Sequence, residues 1–561
     1  MPIQTDRLRR DIETIAAITQ TPGAGATRPT FSKEWGDAVA YIANEATKLG
    51  CVVRRDSAGN LFCRCGKLEP DEPAWLVGSH LDTVPHGGDY DGVAGVVVGL
   101  ELLRAAADDD VAVPVELVVF AEEEGPTFGM GMLGSRALVG ELTADNLCLY
   151  RNAAGETYVD ACKPYAGELT KLHDHLGLIE LHVEQGPGMW RRDQRIAIVE
   201  SIAGRFQYRV SLEGEANHAG ATAMSDRRDA LCAASEMVNA LEQLAPTLSE
   251  QAVMTVGRFE VKPNAVNVIP DRVEFTIDFR APDDAQLETG DKQLRTRLTD
   301  IANARRTFIA IEQTEAIPAR PMHPALVDQL AGDLPRVMSG ALHDAAVLAP
   351  HLPTAMLFVP SRDGISHNPA EFSRVEDIAE AAAVVERAVR RPTIAQLNGM
   401  TRERFTQTLG GIFEHSPWIA ERAWDTRPFA NVDDLHAKMI AVVDAATQDE
   451  QLDLICAHPD LVGKLAKAGR LTAESTDEQK AAGLDQLTAD EADAFDRFNA
   501  DYRNKFGFPF VICARENRKD AILDAFPERL ANDAETERRT ALAEIAKIAR
   551  LRLADLVWTL E

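Results

Sequence analysis

Two histidines and three aspartates fall within "GSHLDTVPHGGDYDG", residues 78–92, between glycines. Imidazole and carboxylate groups at such density suit a divalent metal ion, yet Gly and Asp also make ordinary turns, because glycine tolerates positive φ and Asp hydrogen-bonds its own backbone. Further candidates lie downstream: the triplet Glu122–Glu123–Glu124, then His182, His218, His343 and His367. Singly, each has a plain structural explanation. A catalytic metal site needs several such groups converging from different loops, with one position left for water. His80, Glu124, His182 and His367 each end or follow an apolar run, so each is expected at the same end of one sheet, which favours a di-metal hydrolase.

The elements that would position them are legible. "AWLVGSH" and "PVELVVFAEEEG" read as buried strands ending in polar groups, and "DGVAGVVVGLELLRAAA" as a helix with a small-residue packing face. Strand–loop–helix repetition predicts an α/β domain with a largely parallel sheet, whose ligands gather beyond the carboxyl ends of the strands. Residues 6–20 and 34–49 read as amphipathic helices. Between about 206 and 323 the period becomes two: "FQYRVSLEG" and "RVEFTIDFR" alternate, with the helix "DRRDALCAASEMVNALEQL" between them. This predicts a smaller α+β domain, residues 207–323, inserted into an α/β domain of residues 1–206 and 324–395. "PTAMLFVPS" and a helix near 375–390 resume the first pattern. From 399 to 561 nearly everything is helical in pattern, "NKFGFPFVICA" excepted, which predicts a separate all-α domain.

Composition excludes other classes. The net charge of −29 argues against a nucleic-acid binder, which would need a basic face, and no run approaches the length of a membrane span. No signal-peptide pattern opens the chain, and the eight cysteines are scattered rather than framework-like. Cys63 and Cys65 read as buried thiols. A reduced, cytoplasmic protein is expected.

The ordered motifs "GSHLDTVPHGGDYDG", "AEEEGPTFG", "ELHVEQGP", "GEANHAGATAM", "NAVNVIP" with "FTIDFR", and "GISHNPAE" resemble those of the hydantoinase/carbamoylase branch of di-metal amidohydrolases, over roughly residues 5–395. That branch includes N-carbamoyl-L-amino-acid hydrolases and allantoate amidohydrolases. The resemblance implies two divalent ions, Zn or Mn. One would be held by His80, Asp91 and His182, the other by Asp91, Glu124 and His367, with Asp91 bridging. It makes Asp82 the partner of the other His80 nitrogen, and Glu123 the general base. Glu123 could face the water beside a ligating Glu124 only if the backbone turns there, as Gly125 permits. The resemblance further implies that His218 stabilises the oxyanion in the other subunit of a homodimer formed through the inserted domain. Gln185, Asn267 and Arg280 would bind substrate, Arg280 through its bidentate fork. Departures from the pattern flank the site: Pro126 and Thr127 in "EEGPTF", Leu342 in "GALHDA", and Arg362 and Asp363 in "PSRDGISH".

In the last region, "CAHPDLVGKLAKAGRLTAESTDEQKAAGL", "NKFGFPFVICA" and "IARLRLADLV" resemble 2-oxo-4-hydroxy-4-carboxy-5-ureidoimidazoline (OHCU) decarboxylase, an all-helical enzyme without cofactor, over about 400–558. The resemblance implies His458 as acid/base, assisted by Glu478, with Arg552 on the substrate carboxylate. Ser475, Gln479 and the backbone near Phe510 and Ile512 would line the pocket. A cofactor-free decarboxylase needs a proton donor, and a histidine near neutral pKa suits that task. The expectation is a bifunctional enzyme of ureide breakdown: allantoate to ureidoglycine, ammonia and carbon dioxide, and OHCU to (S)-allantoin. An N-carbamoyl-L-amino-acid hydrolase joined to the same decarboxylase is the second enzyme reading. A helical domain serving only assembly is the non-enzymatic one.

Overall fold

The computed structural model of the chain describes residues 3–68, 72–168, 172, 175–462, 482, 484 and 487–559. It forms two compact units, residues 1–390 and 391–561. In the first unit the chain lays down strands β1 (Val52–Arg55), β2 (Leu61–Arg64), β3 (Ala74–His80), β4 (Val115–Phe120), β5 (His175–Val183) and β6 (Ala197–Ile202) of one sheet. It then crosses into a second sheet of β7 (Gly204–Glu213), β8 (Val253–Thr255), β9 (Phe259–Lys262), β10 (Arg272–Ala281) and β11 (Phe308–Ile317). It returns through β12 (Arg320–Pro321), β13 (Arg336–Ser339) and β14 (Thr354–Val359).

The first sheet runs in the order β1-β2-β4-β3-β5-β14-β6-β12, with β13 beside β6. Its four central strands, β4, β3, β5 and β14, are parallel. They read as near-continuous apolar runs because both faces are covered: every residue of β3, β4 and β14 is buried. The expectation of a largely parallel sheet holds for this centre and for the β13–β6 pair. β1–β2, β2–β4, β14–β6 and β6–β12 are antiparallel, so the sheet is mixed. Parallel neighbours need a crossover such as the helix Val93–Asp108, whereas the margins are reached without one. The register sets His80 beside Phe120, and His182 beside Phe358. Three strand ends that carry polar groups therefore open on the same side.

The second sheet is antiparallel throughout, in the order β11-β7-β10-β8 with β9 also on β10. Burial alternates along β10, with Val273, Phe275, Ile277 and Phe279 inward. Two helices cover that face, Ala230–Leu248 and Asp284–Ala304. The second of these escaped the sequence reading, since charges crowd it and only Leu287, Leu294 and Leu298 mark its inner stripe. Entry and exit are adjacent: Ile202 of β6 pairs with Arg320 of β12, and Ser201 with Pro321.

The second unit is helical, with no strand ladder among the described residues. Its longest helices are Val432–Asp444, Ala489–Phe506, Lys519–Leu530 and Ala534–Leu556. Three threonines, Thr393, Thr447 and Thr488, open helices with reciprocal capping boxes, satisfying backbone N–H groups at those ends. Residues 396–398, between the two predicted domains, lie in the helix Ile394–Gly399. Within "FGFPFVIC", Phe506 ends the helix Ala489–Phe506, Gly507 caps it, and residues 508–513 are buried outside any helix; Phe510 stacks on Phe526 with ring centroids 3.8 Å apart. No helix among the described residues is long and apolar enough to cross a membrane.

Candidate metal centre and helical-domain site

His80 ends β3 and His182 is next to last in β5, and a main-chain carbonyl engages each Nδ1, which leaves Nε2 for the site. His80 Nδ1 lies 3.0 Å from the Asp82 carbonyl, and His182 Nδ1 lies 2.9 Å from that of Val183. The loop after β3 then carries Asp91 back to them. Oδ1 of Asp91 stands 3.6 Å from His80 Nε2 and 3.1 Å from His182 Nε2. Gly92, at φ +66°, makes this return possible; a Cβ there would sit 2.6 Å from the His80 ring. On the other side, Oδ2 of Asp91 lies 3.4 Å from His367 Nε2, which is 3.3 Å from Glu124 Oε2. The donor atoms of His80, Asp91 and His182, and those of Asp91, Glu124 and His367, each lie within 4.8 Å of one another.

The acids owe their direction to a turn that begins earlier than Gly125. Glu122, two residues past the end of β4, takes φ +56°, and Gly125 takes +82°. Glu123 and Glu124 thereby leave the strand path together, and Glu123 Oε2 comes 3.6 Å from His80 Nε2. Asp82 differs from expectation. Its carboxylate is 3.8 Å from His80 Nδ1, whose close partner is the Asp82 carbonyl, and Oδ2 accepts from the Glu124 backbone N–H at 3.1 Å. The short H-x-D spacing lets the main chain reach the ring first and sends the side chain to hold the acidic turn.

The electrostatics suit a cation. Burial works against the Asp91 charge, but His182, His367 and His80 outweigh it and hold the carboxyl well below the usual range. Burial pushes Glu124 up to about 7, helped by Asp91, and raises Glu123 well above the ordinary glutamate value. The Asp91 contact lifts His367 to about 9. His80 Nε2 is buried without a hydrogen-bond partner. Carboxylates packed around an orphaned imidazole nitrogen are the donor set of a divalent-ion site, and the residues fit such ions.

Gln185, at φ +58°, donates from Nε2 to Asp91 Oδ2 at 2.7 Å, so it touches the shared carboxylate. His218 is exposed on the inserted domain; its Nδ1 accepts from the N–H groups of Gly220 and Ala221, which leaves Nε2 to carry the ring proton. Asn267 lies beside it, its carbonyl accepting from Ala219 at 3.0 Å. Among the described residues, no hydrogen bond joins His218 or Asn267 to the two ligand sets. Arg280 is no free surface arginine: Nε donates to Asp278 at 2.8 Å and an Nη to the Gly340 carbonyl at 2.6 Å. His343 packs edge-on against His182, ring centroids 4.4 Å apart, and burial drives its pKa well below the ordinary value. His86 bonds the Ala24 carbonyl and belongs to a loop. Two groups without an assigned role in the sequence reading are Glu180, bonded to Ser79 and to the Ala345 N–H, and Glu371, beside Asp91.

In the helical unit His458 is buried just past the helix Gln448–Cys456, with Nδ1 3.0 Å from the Leu454 carbonyl. Burial pushes its pKa down to about 4, far from the near-neutral value expected. The Asp460 carboxylate accepts from Arg503 Nε at 2.9 and 3.0 Å. Arg552 is buried against Glu414 at 3.0 Å. Arg529 lies over the Phe510 ring and donates to the Val511 carbonyl at 2.6 Å, and Cys513 N–H donates to Glu544, which secures the stretch containing Ile512. Ser475, Glu478 and Gln479 lie outside the described residues.

Comparison with known proteins follows the same division. Residues 76–391 match the family model of peptidase family M20/M25/M40, and residues 398–554 match that of OHCU decarboxylase. An N-carbamoyl-L-amino acid amidohydrolase of Geobacillus stearothermophilus is 36% identical over 408 residues, covering 69% of this chain and 98% of that protein. An allantoate amidohydrolase of Escherichia coli K12 is 35% identical over 381 residues, covering 65% and 92%. The crystal structure of a hydantoinase/carbamoylase-family amidase from Burkholderia multivorans superposes with a TM-score of 0.66 at 34% identity, covering 69% of this chain and 97% of that one. The chain is thus a member of peptidase family M20/M25/M40, a hydrolase, carrying a C-terminal domain of the OHCU decarboxylase family.

Proposed function

We propose that the first unit hydrolyses allantoate to ureidoglycine, ammonia and carbon dioxide, and that the second decarboxylates OHCU to (S)-allantoin. The observation that carries the first assignment is the Asp91 carboxylate shared between two ligand sets, in a chain whose second domain belongs to a ureide-forming family. Two divalent ions, Zn or Mn, held by His80, Asp91 and His182 and by Asp91, Glu124 and His367, would polarise a ureido carbonyl and acidify a water. With the ions bound beside it, Glu123 would be ionised and would take the water's proton; its burial raises its affinity for that proton, which it then passes to the departing nitrogen. His218 presents its Nε2–H to the oxyanion in the partner site of a homodimer. Arg280 and Asn267 hold the substrate carboxylate and amide, with Gln185 at the shared acid. Arg280 would exchange its Gly340 contact for the carboxylate.

In the helical domain, loss of carbon dioxide leaves an electron pair on carbon that needs a proton. With Nδ1 bonded to Leu454, Nε2 of His458 is the nitrogen that carries it. Burial keeps the ring neutral in the free domain, so the proton arrives with the anionic substrate, whose charge raises the imidazole's affinity for it. Eight free cysteines accord with work in a reducing cytoplasm.

A substrate panel tests the assignment. Ammonia release from allantoate, at a kcat/KM well above that for any N-carbamoyl-L-amino acid, is the expected result. The reverse order would make the first unit an N-carbamoyl-L-amino-acid hydrolase, the reading favoured by its likeness to the Geobacillus protein.

A further inference from the structure

Glu371 follows His367 by four residues and is buried against the loop that presents Asp91. Its Oε2 accepts from the backbone N–H of Tyr90 at 3.0 Å and of Asp91 at 3.2 Å. Its Oε1 lies 2.8 Å from Ser366 Oγ, which itself lies 2.9 Å from Asp91 Oδ2. One side chain thus grips the main chain entering Asp91 and, through Ser366, the far oxygen of the same carboxylate. Ser366 is the neighbour of His367, which sits at φ +53°, a conformation a histidine holds only when its surroundings enforce it. Gly88 clears the space, since a Cβ there would lie 1.8 Å from Glu371 Oε2.

We propose that Glu371 is a positioning residue that clamps the Asp91 loop to the His367 loop, so that the shared acid and the second imidazole keep their spacing. This rests on the two-ion reading of the site. The amide donors fix the direction of Asp91, while Ser366 carries the constraint to Oδ2, the oxygen facing His367. Outer partners of this kind tune metal affinity without touching the ion.

The test uses the full-length chain stripped with chelator and titrated with Mn²⁺, free ion being read by electron paramagnetic resonance. The wild-type chain is expected to take two ions. Glu371→Ala should weaken the second by at least about ten-fold. Gly88→Ala, which displaces Glu371 while leaving every donor in place, should do the same. Glu371→Gln should stay within about three-fold of wild type, because its oxygen still accepts from both amides and its Nε2 can donate to Ser366. Should Glu371→Ala not fold, the Gly88→Ala and Glu371→Gln pair decides. Wild-type affinity for both ions in Glu371→Ala or Gly88→Ala overturns the clamp while leaving the two-ion reading intact. A Gln variant as weak as the Ala variant also overturns it, showing that charge rather than position matters. A wild-type chain that binds no pair of ions removes the two-ion reading itself, and the clamp with it.

Discussion

His182 Nε2 stands 3.1 Å from Asp91 Oδ1, while the other oxygen of that carboxylate faces His367 and Gln185. One side chain therefore serves both ligand sets, whereas each histidine serves one. Asp91→Ala should empty both ion positions, and His182→Ala only one, as counted by elemental analysis of the purified chains. Hydrolase kcat/KM should fall by at least about a thousand-fold in Asp91→Ala, the order expected on losing a main electrostatic stabiliser of the reacting carbonyl. Equal ion content in the two variants would contradict the sharing.

Glu123 lies within the cluster but belongs to neither ligand set. Glu123→Gln should retain both ions and lose about 10²- to 10⁴-fold in hydrolase kcat. Decarboxylation by the same variant should match wild type. Loss of ions together with activity would reassign Glu123 as a ligand.

The oxyanion role proposed for His218 predicts complementation between subunits. Glu123→Gln and His218→Ala chains should each be inactive as hydrolases. Mixed after subunit exchange, they should recover about a quarter of wild-type activity, since half the dimers are hybrid and one of their two sites is intact. A mixture as inactive as its parents argues that His218 serves no partner site.

His458 gives a pH dependence with a definite sign. Its folded pKa, about 4, lies below the ordinary histidine value, so the unfolded chain binds this proton more readily. The penalty is absent above the ordinary value near 6.5, grows as pH falls below it, and levels off below the folded value. At pH 5 the loss relative to pH 7 should be about 2 kcal/mol for this group. Denaturant unfolding of wild type and His458→Gln at both pH values measures it, and an NMR titration of the imidazole should show a midpoint near 4. A midpoint at 6 or above would mean that the ring is hydrated.

The strand ends were readable because β3, β4, β5 and β14 are buried on both faces, so each apolar run stops where its polar group begins. His80, Glu124, His182 and His367 could thus be grouped before any coordinates. Less visible was whatever depends on backbone direction within a loop. Asp82 spends its carboxylate on the Glu124 N–H, and the acidic turn starts at Glu122 rather than at the glycine. The occupation of Arg280 by Gly340 joins residues far apart in sequence, which no local pattern encodes. Nor could spacing show that His458 would be sealed from water deeply enough to lose its charge.

The chain leaves the catalytic sheet on β6 and re-enters on β12, and these two strands are paired neighbours. To the sheet, everything between them is a closed excursion whose ends already touch. Its length and contents can change without shifting the register of any strand that carries a ligand, because the closure entropy is met locally. In evolutionary terms the segment is a cassette: a lineage could exchange it, His218 included, and inherit both ligand sets unchanged. Its two adjacent crossings also form a narrow axis about which the cassette could swing.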